Sequence, residues 1–202
     1  MARVPVTTLL LYPGAGSDSS HPSLLAIERA VAPVHCVRAD FPYRRAGRKA
    51  PDRAEVLMAS IRETLATLPT DEPLVMGGRS LGGRMCSMVA AGVDELPAPA
   101  NLCGLVLISY PLHPPGQPTK LRVDHLGAIR VPTLFISGTN DAFGKRDELI
   151  HWTATMSPKA KVVHVWIEGK GHDLKRCDER IADEVSAFLA GVARPRARRP
   201  RG

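Results

Sequence analysis

The residue with the clearest chemical potential is Ser80, which stands in Gly78-Arg79-Ser80-Leu81-Gly82, a G-x-S-x-G string. Glycine on both sides of a serine leaves room for a sharp turn that holds the residue in a strained backbone conformation with its hydroxyl exposed. The string alone arises by chance in about one chain in fifteen of this size. Its position is what raises it: it follows the apolar run Pro73–Gly77 and precedes the helix-like stretch Arg84–Ala91. The N-terminal N–H groups of such a helix lie beside any negative charge that develops at the serine.

A serine hydroxyl needs a base, and the base needs an orienting acid. In the strand–turn–helix arrangement the acid follows the serine in the chain and the histidine follows the acid, each on a loop after a later strand. Val131–Ser137 runs into Gly138-Thr139-Asn140-Asp141, and Lys161–Ile167 runs into Glu168-Gly169-Lys170-Gly171-His172. Asp141 and His172 are therefore the expected acid and base, preferred over the nearby acids Asp147 and Asp173; Asp173 is badly placed to reach the ring of its own neighbour. His21, His35, His113, His125, His151 and His164 lack this convergence of loop, strand and order, and read as structural or solvated side chains. An oxyanion would be held by the backbone N–H of Leu81 and by one from the loop Pro13-Gly14-Ala15-Gly16, taken as that of Ala15. Gly14 and Gly16 are expected to keep that loop compact, as Gly78 and Gly82 keep the serine turn tight. The set requires neither metal nor organic cofactor.

These residues need a scaffold, and the periodicity supplies one. Val6–Tyr12, Val34–Arg38, Pro73–Gly77, Leu102–Ser109, Val131–Ser137 and Lys161–Ile167 read as short buried strands. Between them lie helical patterns over Ser23–Val31, from near Pro51 to about Leu68 with Val56, Ile61 and Leu65 on the buried side, over Arg84–Ala91 and over Arg146–Met156; Asp178–Ala190 closes the series. Strands alternating with helices predict βαβ units and a mainly parallel sheet covered on both faces, with sites at the carboxyl ends of the strands.

At the level of whole segments, GGRSLGGRM, SGTNDAFG and GKGHDLK, with YPGAG near the start, resemble the nucleophile, acid, histidine and oxyanion segments of a small α/β-hydrolase. They are most similar to the dienelactone-hydrolase-like branch that includes the testis-expressed protein group, and FPYRRAGRKAPDR and SYPLHPPGQPTKLRVDHL extend the likeness to about Ala190. The resemblance implies an α/β-hydrolase fold trimmed to about six strands, with helices on both faces and no lid domain. It also implies a serine hydrolase acting on an ester, thioester or related acyl bond. Ser80 stands where dienelactone hydrolases proper carry cysteine, so their substrate is not implied. Pro13 replaces the histidine that often precedes the oxyanion glycine. The stretch between the fourth and fifth strands is Pro-rich and short, which predicts an open site for a small or polar acyl substrate. The alternative is a hydrolase fold kept as a non-catalytic binding or complex-assembly module.

Composition narrows the classes. The 202 residues are 44% hydrophobic and 23% charged, which suits one domain over residues 1–193 and excludes wholesale disorder and coiled coil. Every apolar run is interrupted before the roughly 18–20 residues a membrane span needs. The net charge of +7 is uneven: Arg194, Arg196, Arg198, Arg199 and Arg201 lie in the last nine residues, leaving the body at +2. Residues 194–202 read as a disordered basic tail. Without interleaved aromatics it gives little reason to expect nucleic acid. Arg44, Arg45, Arg48 and Lys49 form a second basic cluster, read as a partly ion-paired surface loop, with steering of an anionic substrate as the competing role. Cys36, Cys86, Cys103 and Cys177 are scattered, as reduced structural thiols in a cytoplasmic protein would be.

Overall fold

In a computed structural model that describes residues 3–192 and 194–195, the apolar runs become one six-stranded sheet. In chain order the elements are β1 (Arg3–Val4), β2 (Thr8–Tyr12), α1 (Pro22–Ala30), β3 (His35–Arg38), α2 (Pro42–Arg45), α3 (Ala54–Ala66), β4 (Leu74–Arg79), α4 (Leu81–Ala91) and β5 (Leu102–Ile108). They continue with β6 (Thr133–Gly138), α5 (Arg146–Thr153), β7 (Val163–Ile167), α6 (Asp178–Gly191) and β8 (Arg194–Pro195). The sheet order is β3-β2-β4-β5-β6-β7 and every pairing in it is parallel.

Parallel strands are buried on both faces, so their residues divide between two cores. Leu10 and Tyr12 of β2, Met76 of β4, Leu105 and Leu107 of β5 and Phe135 of β6 pack with α3 and α4 on one face. Leu9 and Leu11, Val75, Val106 and Ile108, and Leu134 and Ile136 pack with α1 and α6 on the other. The chain runs outward from β2 to β3, then returns past β2 to β4, so the strand order reverses between β2 and β4. Open α/β sheets bind ligands at the carboxyl ends of the strands at such a reversal. The segments that leave those two ends are Pro13–Gly16 and Ser80.

Several expectations change in detail. Val56 of α3 is 46% exposed; Ile61 is buried and Leu65 packs against the core as anticipated, while Leu57 and Met58 take the place expected for Val56. The basic loop after β3 begins with a helical turn, α2, in which Tyr43 is fully buried together with its predecessor Phe41; Phe41 stacks on Tyr12 at 4.6 Å. Its cations are largely spent locally. Arg44 pairs with Asp18 at 3.3 Å, Arg45 donates to the Asp40 carbonyl and Arg48 makes a bidentate pair with Asp52. At the carboxyl terminus, Arg194–Pro195 pairs antiparallel with Arg3–Val4, so the ladder reaches two residues into the segment expected to be disordered. Arg196, Arg198, Arg199 and Arg201 lie outside the described residues. All four cysteines stand outside any disulfide, and Cys86 and Cys177 are buried. Among the described residues no helix is long and apolar enough to cross a membrane.

Candidate functional site

β4 ends at Arg79 and α4 begins at Leu81, so Ser80 alone makes the turn, with φ 46° and ψ −112°. Few non-glycine residues tolerate that region, and it is the kind of strain found at functional turns. Two contacts fix it. The Ser80 N–H donates to the Ile108 carbonyl at 2.8 Å, and its carbonyl accepts from Arg84 N–H at 3.0 Å. The turn also needs the helix start to lie against β2. A Cβ on Gly82 would stand 2.3 Å from the Tyr12 carbonyl oxygen, so no side chain fits there. By contrast, a Cβ on Gly16 meets nothing within 4 Å and one on Gly14 makes only ordinary contacts, the nearest 3.6 Å from Ser80 Cβ. Steric demand at Gly14 and Gly16 is thus not what keeps their loop compact. The loop is held by the Ser17 N–H and hydroxyl, which donate to the Gly14 carbonyl at 3.2 Å and 3.3 Å, and by the Tyr43 hydroxyl, which donates to the Ala15 carbonyl at 2.9 Å.

Ser80, Asp141 and His172 come together as one hydrogen-bonded series. His172 Nε2 is 2.8 Å from Ser80 Oγ, and His172 Nδ1 is 2.8 Å and 3.0 Å from the two carboxylate oxygens of Asp141. An ionised carboxylate only accepts, so Nδ1 carries the proton and Nε2 presents its lone pair to the serine hydroxyl. Asp141 is 1% exposed, whereas the His172 side chain is 23% exposed and Ser80 is half-buried. The acid is therefore sealed while the nucleophile and base face outward.

Two loops must be held together for this geometry. The Asn140 N–H donates to the Lys170 carbonyl at 2.9 Å, Thr139 N–H to the Ile167 carbonyl at 3.2 Å, and Gly169 N–H to Thr139 Oγ1 at 2.9 Å. Gly138, at the end of β6, permits the approach, since a Cβ there would lie 2.1 Å from the Lys170 carbonyl oxygen. Phe143 acts twice: its N–H donates to Asp141 Oδ1 at 2.8 Å, and its ring stacks on the His172 imidazole at 3.9 Å. Arg79, buried at the end of β4, donates to the Asp173 carbonyl at 2.9 Å and to Ser23 Oγ at 3.3 Å, tying the histidine loop to the nucleophile strand and α1.

Tyr43, Gly138, Phe143 and Arg79 have no role in the sequence expectations. For Gly138 the signal was present, as a glycine closing a strand directly before a candidate acid. Tyr43 and Phe143 carried none beyond being aromatics in polar loops. Asp147 lies on α5, and Asp173 accepts from the Lys175 N–H, so neither competes for the imidazole.

A family model described as an alpha/beta hydrolase domain matches residues 5–193. The chain belongs to the alpha/beta hydrolase family. Solved structures of similar fold include Est1E from Butyrivibrio proteoclasticus, 13% identical with a TM-score of 0.69, covering 93% of this chain and 88% of that one. A monoacylglycerol lipase from Paleococcus ferrophilus is 16% identical, with a TM-score of 0.70 and coverage of 94% and 97%. The esterase domain of a Rhodothermus marinus protein is 17% identical, with a TM-score of 0.68 and coverage of 94% and 88%. At these identities the shared property is the alpha/beta hydrolase fold, here with an all-parallel six-stranded sheet.

Proposed function

We propose that this alpha/beta hydrolase is a serine hydrolase of small or polar esters, thioesters or related acyl compounds. The observation that carries the reading is the unbroken series from Ser80 Oγ through His172 to Asp141, with 2.8 Å at each end of the imidazole. His172 Nε2 takes the hydroxyl proton as Ser80 Oγ attacks the acyl carbon. The tetrahedral oxyanion is held by the N–H groups of Leu81 and Ala15, neither of which makes a hydrogen bond among the described residues. The imidazolium, stabilised by Asp141, then gives its proton to the leaving group, and water repeats the sequence in reverse roles to free the acyl enzyme.

Substrate size follows from exposure. The segment between β5 and β6 carries only a 3₁₀ turn at Leu126–Ala128, and Tyr110, Leu112, Val123, Leu126 and Ile129 fold it down into the core. No helical cap stands over Ser80 among the described residues, which supports a small or polar acyl group over a long lipid chain. Est1E and the monoacylglycerol lipase are named as an esterase and a lipase, in keeping with acyl hydrolysis. The narrower likeness to the dienelactone-hydrolase-like and testis-expressed-protein branch rests on the sequence segments around Ser80, Asp141 and His172.

The test pairs turnover of 4-nitrophenyl butyrate with labelling by a fluorophosphonate probe. Wild type should turn over and label, and Ser80→Ala should do neither, with turnover falling by at least about a thousandfold. Equal turnover in the two proteins would overturn the assignment.

A further inference from the structure

One helical turn from Ser80 lies Arg84, a cation with no anion, and its charged neighbour is a second cation, Arg122. Arg84 follows the nucleophile by four residues on α4, a rise of about 6 Å along the axis, and long side chains on a helix lean back toward its N-terminus. Its Nε is buried and has no hydrogen-bond partner. Burial lowers the Arg84 pKa, and the charge of neighbouring Arg122 lowers it further. Arginine nonetheless stays charged. Among the described residues neither guanidinium forms an ion pair or a hydrogen bond, although both residues are half-buried. Asp124, two residues beyond Arg122, is exposed and pairs with neither.

The neutral groups around the two arginines satisfy one another instead. The Tyr110 hydroxyl donates to the Arg122 carbonyl at 2.9 Å, and the Ser87 hydroxyl donates to the Arg84 carbonyl at 2.7 Å while accepting from His125 Nε2 at 2.8 Å. His125, pushed down to about 4 chiefly by burial and then by Arg84, is neutral near pH 7 and adds no counter-charge. Tyr110 lies two residues beyond the end of β5, at the same sheet edge as Ser80, whose N–H donates to the Ile108 carbonyl. Two half-buried like charges, one with a buried donor left unpaired, cost stability unless an anion arrives to pair with them. A planar guanidinium matches a carboxylate in bidentate geometry.

We propose that Arg84 and Arg122 receive a free carboxylate on the acyl group, so that the preferred substrate at Ser80 is an anionic acyl ester such as a monoester of a short dicarboxylic acid. The inference rests on the serine hydrolase reading and names its substrate class. It also assigns anion recognition to Arg84 and Arg122 rather than to the Arg44–Lys49 loop, where Arg44, Arg45 and Arg48 already have acceptors.

The experiment measures kcat/KM on mono-4-nitrophenyl glutarate and on 4-nitrophenyl butyrate, and the rate of fluorophosphonate labelling of Ser80 with and without glutarate. Wild type should favour the acidic ester by at least tenfold at low salt, and glutarate should slow labelling. Arg84→Gln and Arg122→Gln should each reduce the acidic-to-neutral ratio about tenfold or more and abolish the protection, with Arg84→Lys restoring part of both. Labelling that proceeds normally but is indifferent to glutarate, or a ratio unmoved by either glutamine variant, overturns the carboxylate site and leaves the hydrolase reading standing. Protection by inorganic phosphate but not by glutarate overturns the carboxylate assignment. Absence of both labelling and turnover in wild type overturns the two readings together.

Discussion

Two arginines flank Ser80, Arg79 immediately before it and Arg84 four residues after, and the protein treats them differently. Arg79 is buried on the α1 side with its donors placed on the Asp173 carbonyl and Ser23 Oγ. Arg84, on the α4 side, keeps a buried Nε without a partner. The first holds the histidine loop against the nucleophile strand, which is a structural use of a cation. The second is left for something to bind. The contrast shows how one motif can serve both assembly and recognition: the sheet separates its two faces, and neighbouring positions on the strand–turn–helix exit on opposite sides.

The two arginines differ in function only if the centre between them reacts, and Asp141 tests that most directly. Asp141→Asn keeps the shape but cannot favour the Nδ1–H tautomer, so ester turnover should fall by about 10³–10⁴-fold while the circular dichroism spectrum stays native. A smaller loss would mean that the imidazole is oriented by something other than the sealed carboxylate.

Next in size is the turn that divides the two faces. Gly82→Ala places a methyl 2.3 Å from a β2 carbonyl and should cost about 3 kcal/mol or more, read as a lowered denaturant midpoint. Gly16→Ala, with open space around it, should stay within about 0.5 kcal/mol of wild type. If both variants behaved alike, the close approach of α4 to β2 would not be what sets the elbow.

Arg79→Met removes the cation that ties the histidine loop to the nucleophile strand. It strands the Asp173 carbonyl, leaves Ser23 Oγ with only His21, and loosens the loop that carries His172; a loss of order 1–3 kcal/mol corresponds to roughly 5–150-fold in kcat. The loss should fall on kcat more than on KM, equally for acidic and neutral esters, with partial recovery in Arg79→Lys. A selective loss on the acidic ester would mean that Arg79, rather than Arg84, faces the substrate.

The smallest expected effect concerns His125 beside Arg84. Its folded pKa of about 4 lies below the ordinary histidine value, so the unfolded chain binds a proton there that the folded protein excludes. Its contribution is fully present above about pH 6.5 and is lost as pH falls toward 4. His125→Asn should flatten that part of the acid limb in pH-dependent unfolding. Burial depresses His21 and His164 in the same direction, so part of the slope should remain.

Much of this was legible in the chain because it is local. The serine between glycines, an apolar run before it and a helix after it are neighbours in sequence, and the order serine, acid, histidine needs only that later strands end in loops. The edge of the buried stripe of α3 was less legible: Ile61 and Leu65 face the core as their spacing suggests, yet Val56 sits on the solvent side while its neighbours Leu57 and Met58 are buried. Phe143 and Tyr43 gave no warning, since an aromatic in a polar loop reveals its partner only once the loop is placed.

The sequence by itself determined the chemistry on offer, a hydroxyl, an imidazole and a carboxylate each at the end of a strand, because backbone propensity and strand length act over a few residues. Tertiary structure alone decided that these three meet. Parallel pairing in the order β3-β2-β4-β5-β6-β7 brings to one edge side chains that are 92 and 31 residues apart in the chain. It also decided which cations found acceptors and which did not, since partners separated so far along the chain are chosen by the packing of the sheet's two faces and not by any local preference.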